Sequence, residues 1–258
     1  MLFDFTLIVY ETLIKNLLKL NYSIIPVSDY NLINFKDKQK IVILRHDVDK
    51  KPENSLKCAE IENKYGVKST YYFRMKKCSF DKKIIDKIVA LNHEIGYHYE
   101  DLNDSKGNYE KGIISFQSNL LKLRKHYDIT TACMHGRPIS KYNSLDMWNH
   151  YNYRDYGINI EPYLDIDFNK VFYLTDTGRG WNNQASIRDR ANSKQRLIIK
   201  DTYHFLDQIK KHKNLDLILI NTHPQRWSST IIEWIFELVW QKTKNVIKKI
   251  LIIFRTNK

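Results

Sequence analysis

The sequence predicts an α/β fold built on a parallel sheet or barrel, from three observations. Short apolar runs alternate with longer stretches of helical period, the grammar of βα units. Histidines and aspartates fall just beyond several of the short runs, where ligands gather in parallel sheets and barrels. A chain of 258 residues with 43% hydrophobic content can also bury a full core.

The elements follow in order. Residues 1–40 read as an N-terminal helix and connecting loop. Ile41-Val42-Ile43-Leu44 is a buried strand that stops where Arg45-His46-Asp47-Val48-Asp49 begins. Pro52 to Tyr65 reads as a helix, with proline in its first turn and Gly66 as its stop. Ser69–Phe73 is β-branched and aromatic, a strand. Asp81–Asn92 is a capped amphipathic helix, Glu94–Tyr97 a short strand before His98, and Asn108–Tyr127 a further helix. Strands are expected at Thr130–Met134 before His135, at Gly157–Ile160, at Val171–Thr175 before Asp176 and at Leu215–Ile220 before His223. Asp201–Lys211 and the segment from Thr230 onward are helical.

Composition excludes several function classes. The cysteines, Cys58, Cys78 and Cys133, form no Cys-x-x-Cys pair, so neither a disulfide scaffold nor a zinc ribbon is expected. No apolar run reaches the roughly 18 residues of a membrane span, and the amino terminus has no basic leader, so the default location is the cytoplasm. The net charge of +13 favours anionic partners, but no nucleic-acid-binding motif is present and nucleic acid is not expected. No acid follows Glu237, while Lys242, Lys244, Lys248, Lys249, Arg255 and Lys258 are interleaved with apolar residues. This reads as a basic amphipathic helix packed on the domain, with peripheral contact to an anionic membrane as the alternative. The organisation expected is an N-terminal extension over 1–40, a core domain over 41–229 and this helix over 230–258.

His46, Asp47, Asp49, His98, His135, Asp176 and His223 each lie at or after a predicted strand and would meet on one rim. Two carboxylates one residue apart can divide their labour, one on a metal ion and one on a water. Aspartate and histidine ligands with an open water position suit a catalytic zinc-like ion rather than a structural one. A histidine on the opposite side would protonate the leaving group. The chemistry expected is metal-assisted hydrolysis.

At this point the residues match a family. The chain resembles the polysaccharide deacetylases of carbohydrate esterase family 4, with the NodB-homology fold, and more closely a branch with a His-Asp-Val-Asp first motif linked to bacterial surface-polysaccharide biosynthesis. The motifs that carry the resemblance are Leu-Arg-His-Asp-Val-Asp at 44–49, His-Glu-Ile-Gly-Tyr-His at 93–98, Met-His-Gly-Arg-Pro-Ile-Ser at 134–140, Thr-Asp-Thr-Gly-Arg-Gly-Trp at 175–181 and Asn-Thr-His-Pro-Gln-Arg-Trp at 221–227. It implies a distorted (β/α) barrel of about seven parallel strands, flanked by helices at both termini. A divalent metal, most often Zn2+, and removal of an acetyl group from a sugar are implied with it.

By position the resemblance implies Asp47 as catalytic base, Asp49 and His98 as metal ligands, Arg137 as the tether of the base, His223 as general acid and Asp176 as its orienting partner. Trp181, Trp227 and Arg179 are expected at the sugar. The family's second metal histidine, four residues after the first, is Leu102 here. Leucine cannot bind a metal, so His135 is the expected third ligand, with Glu100 and Asp101 as alternatives. The expected substrate is an acetylated sugar or glycan precursor. The competing expectations are a carbohydrate-binding protein that has lost its metal and an amidohydrolase on a small non-sugar amide.

Overall fold

The computed structural model describes residues 3–37, 39–137, 140–181, 197–212 and 215–256, with the backbone alone for 247–256. Seven parallel strands form one curled sheet, a half-barrel. In chain order they are β1 (Ser23–Ile25), β2 (Ile41–Val48), β3 (Thr70–Phe73), β4 (Glu94–Tyr99), β5 (Ala132–Met134), β6 (Phe172–Thr175) and β7 (Leu217–Thr222). Across the sheet the order is β5-β4-β3-β2-β7-β6, and β1 pairs with the first half of β2, below β3. The segment before Ile41 therefore supplies a strand as well as a helix.

The helices are α1 (Leu7–Lys19), α2 (Pro52–Lys64), α3 (Lys82–Ala90), α4 (Asp101–Asp104), α5 (Tyr109–Arg124), α6 (Pro162–Asp165), α7 (Thr202–Lys211) and α8 (Ile231–Thr256). Their starts are chemically marked. Asp81, Asn108 and Asp201 each accept a backbone N–H of the following turn, and Pro52 opens α2. Gly157–Ile160, expected as a strand, is not one. Ile160 makes only an isolated bridge to Thr131, because Gly157 takes a left-handed φ of 68° to close the short helix before it. The sheet accordingly has its two edges at β5 and β6 among the described residues.

All eight residues of β2 are buried, as expected of a central parallel strand covered on both faces. Its side chains alternate between two apolar layers. Val42, Leu44 and Val48 pack with α1 and α2 residues such as Leu13, Leu17 and Ala59. Ile41 and Ile43 face the concave side with Tyr72, Cys133, Tyr173 and Leu219. Arg45 and Asp47 continue that inner row. Gly96 in β4 is part of the same packing, since a Cβ there would stand 2.3 Å from the ring of Tyr72.

Candidate active site

The parallel strands bring their carboxyl ends to one rim, and the expected residues arrive there from five of them. Asp47 lies within β2, which runs on to Val48, and Asp49 just beyond it. His98 is in β4, while His135, Asp176 and His223 directly follow β5, β6 and β7. His46 is the exception, because the pleat turns it to the opposite face. There it stacks on Tyr71 with centroids 4.2 Å apart, and its Nε2 lies 2.8 Å from Glu62 Oε1.

Each of the two carboxylates is held by one oxygen. Asn221 Nδ2 donates to Asp47 Oδ2 at 2.9 Å, and Gln225 Nε2 donates to Asp49 Oδ2 at 3.0 Å. The other oxygens, Asp47 Oδ1 and Asp49 Oδ1, are buried and have no hydrogen-bond partner among the described residues. Asp49 Oδ1 lies 3.2 Å from His135 Nε2 and 3.6 Å from His98 Nε2, without the geometry of a hydrogen bond. Burial alone would raise the Asp49 carboxyl, but His135 and His98 hold it well below the usual carboxylate range.

These atoms fit a metal ion. His98 Nδ1 donates to the Cys133 carbonyl at 2.9 Å, so the Nε2 of a neutral ring presents a lone pair. His135 Nδ1 faces Glu100 Oε2 at 3.4 Å, which turns its own Nε2 the same way. Asp49, His98 and His135 can thus each offer one ligand atom, the three within 4.8 Å of one another. Tetrahedral zinc ligands at about 2.0–2.1 Å from the ion stand about 3.3 Å apart, close to the separations seen around Asp49. A second grouping of Asp47, His98 and Cys133 meets the same 4.8 Å limit. It suits a cation less well, because the Arg45 guanidinium already stands 2.5 Å from Cys133 Sγ and 3.5 Å from Asp47 Oδ2.

Leu102 is 1% exposed and packs in the core against Gly112, so the site draws nothing from that position. Asp101 is turned away and accepts from Tyr97, Ser115 and Asn119. Glu100 forms a pair with Arg74 at 2.6 Å and stands behind His135 rather than beside Asp49.

On the other side of the rim, His223 Nδ1 lies 2.6 Å from Asp176 Oδ1. Arg226 Nη1 donates to the same Oδ1 at 2.7 Å, and Trp227 Nε1 donates to Oδ2 at 2.9 Å, beside the His223 backbone N–H at 3.0 Å. So much donation keeps Asp176 ionised. Burial pushes its pKa up, but Arg226 and His223 outweigh that and bring it below the ordinary value. A carboxylate at Nδ1 fixes the tautomer and leaves His223 Nε2 as the working nitrogen.

The chain is similar to a CE4 esterase. That protein, from Streptococcus mutans, has 15% sequence identity and a TM-score of 0.46, with 85% of this chain and 84% of that one covered. A variant of the peptidoglycan deacetylase PdaC from Bacillus subtilis has 12% identity and a TM-score of 0.40 over 83% of this chain and 98% of that one. No family model matches the chain, and no curated protein matches it.

Four expected residues take other places. Arg137 does not reach Asp47; its Nε pairs with Glu100 at 2.9 Å and its Nη1 with Asp104 at 3.1 Å. Arg45 stands beside Asp47 instead, since a residue two positions away on one strand shares its face. Trp227 and Trp181 are 0% and 2% exposed, with ring centroids 6.0 Å apart, and Trp227 also packs on Phe5 and Tyr10. Their large apolar rings fill the core, so neither offers a face to a sugar. Arg179, at a φ of 61°, donates to the Trp234 carbonyl and lies over the Trp234 ring, tying the loop after β6 to α8. Arg45, Asn221, Gln225 and Arg226 were missed as site residues, although all four lie inside the quoted motifs. A cavity of about 270 Å³ opens beside Gln225, between Lys51, Asn54, Lys57 and Ser228.

Proposed function

We propose that this protein is a metal-dependent hydrolase that removes an acetyl group, most simply N-acetyl, from a sugar in surface-polysaccharide assembly. One observation carries the reading. Asp47 and Asp49 each keep one oxygen pinned by an amide, and only Asp49 turns its other oxygen toward two histidine nitrogens.

Asp49, His98 and His135 would hold a divalent ion such as Zn2+, which when bound acidifies a water and polarises a carbonyl. Asp47, with Oδ1 open and Oδ2 fixed by Asn221, takes the proton from the attacking water. Arg45 Nη2 stands 3.5 Å from its Oδ2, on the same face of the strand. His223, its Nδ1 committed to Asp176, delivers a proton from Nε2 to the departing nitrogen. An amide nitrogen needs that proton, because it departs poorly as an anion. Asp176, Arg226 and Trp227 are positioning residues behind it.

The test is acetate release from N-acetylated sugar precursors by the zinc-loaded protein. Release that disappears in His223→Ala and Asp47→Asn supports the reading. A zinc-loaded wild-type protein that releases no acetate from any precursor, yet binds one, would move the function to carbohydrate binding.

A further inference from the structure

The helix α8 is mounted with its polar side inward. At about 100° per residue, Trp234, Glu237, Gln241 and Asn245 share one side, and that side meets the protein. Glu237 pairs with Lys50 at 3.2 Å and Lys51 at 3.6 Å, Asn245 donates to the Gly178 carbonyl at 3.0 Å, and Trp234 donates to the Asp4 carbonyl at 2.6 Å. The opposite half of the circumference carries Ile232, Ile235, Phe236, Val239, Trp240 and Val246, each 51% to 72% exposed. Surface helices normally turn such a stripe to the core. Here no described residue covers it.

Charge selects the occupant. Lys242 and Lys244 border the stripe on its two sides, and Lys248, Lys249 and Arg255 follow in sequence with Ile250, Ile253 and Phe254. The helix's two acids are engaged, Glu233 in capping the Ser229 N–H and Glu237 with Lys50 and Lys51. A second copy of this chain would set one basic helix against another with no free acid between them. A headgroup layer of anionic lipid accepts both the stripe and its cationic borders. No helix among the described residues is long and apolar enough to cross a membrane, so the geometry is that of a helix lying in the interface.

We propose that α8 is a docking surface for an anionic membrane, with the Ile232–Val246 stripe in the acyl boundary and the lysines at the headgroups. Lys50, Lys51 and Gly178, close in sequence to Asp49 and Asp176, meet the opposite side of α8, so docking sets the candidate site one helix diameter, ~10 Å, from the headgroups. The inference rests on α8 and not on the chemistry of the site.

The test is flotation of the full chain with phosphatidylcholine vesicles, with and without phosphatidylglycerol. Binding is expected only with phosphatidylglycerol and is expected to fall as salt is raised. At roughly 1 kcal/mol per basic residue near the surface, Lys242→Glu with Lys244→Glu lowers the partition at least about tenfold. Phe236→Ser with Trp240→Ser lowers it as far without lowering the melting temperature. Asp47→Asn floats like the unaltered protein, which separates docking from activity. Absence of flotation by the folded protein overturns the proposal, and so does equal binding to neutral vesicles. A dimer that dissociates in the Phe236→Ser, Trp240→Ser protein overturns it too, in favour of a self-association surface.

Discussion

Gln225 Nε2 stands 3.0 Å from Asp49 Oδ2 and so leaves Oδ1 as the oxygen turned toward His98 and His135. An amide from the loop after β7 thereby aims a carboxylate at the end of β2. Outer partners of this kind are worth about 10–100-fold in metal affinity. Gln225→Leu is expected to weaken zinc by that factor, read by competition with a chromophoric chelator, with the melting temperature of the metal-free protein little changed.

Asp47→Asn separates the two carboxylates. The variant keeps Asp49, His98 and His135, so zinc content after dialysis stays at the unaltered level. Acetate release falls by at least about 10²-fold, the usual contribution of a general base. Loss of zinc together with activity would show that Asp47 is a ligand, and would favour the grouping with Cys133.

Leu102→His does not rebuild the family's spacing. The position is 1% exposed, beside Gly112 in the core, and an imidazole there buries a polar group with no partner. A loss of about 1–3 kcal/mol in denaturant stability is expected, with zinc affinity unimproved. His135→Ala, by contrast, removes zinc. A gain in zinc affinity from Leu102→His would refute this placement of the third ligand.

Zinc uptake is expected to release a proton. Burial alone would lower His135, yet Asp49 and Glu100 raise it to about 9 in the metal-free protein. A ligand nitrogen must give up its proton to bind, so below about pH 9 affinity rises roughly tenfold per pH unit. Calorimetry in buffers of different ionisation enthalpy measures the proton directly, and zinc uptake that releases none would refute the assignment.

Stability responds to pH through the other face of β2. Burial would raise Glu62, but His46 and His93 overcome it and bring it to about 2. A carboxyl whose folded pKa lies below its unfolded value of about 4.3 adds stability that is complete above that value. This stability is lost as pH falls toward about 2. Glu62→Gln should lower the denaturation midpoint at neutral pH and flatten its fall between about pH 5 and about pH 2. An acid limb unchanged in the variant would assign the slope elsewhere.

Much of this arrangement was legible in the sequence because βα units place strand ends on one rim whatever the loops do. That alone located Asp47, Asp49, His98, His135, Asp176 and His223. The strand at Ser23–Ile25 was hidden because three residues leave little periodic signal, and Gly157–Ile160 looked like a strand although Ile160 makes only a single bridge to Thr131. Trp181, Trp227 and Arg137 were placed by their positions in the resembled motifs, which do not tell an aromatic ring in the core from one in a cleft, or which of two arginines reaches a carboxylate. Arg45 could have been chosen over Arg137 from the pleat alone, since it sits two residues before Asp47.

The alternation along β2 has a consequence for how the protein can change. Arg45 and Asp47 look into the cleft while His46, between them, is bound to Glu62 and Thr222 behind the sheet. A one-residue insertion or deletion ahead of Arg45 would exchange the two faces, hiding Asp47 and exposing a structural histidine. Substitutions here are tolerated or rejected singly, but a shift in frame fails on both sides at once, so the spacing of this strand is more constrained than any one of its letters.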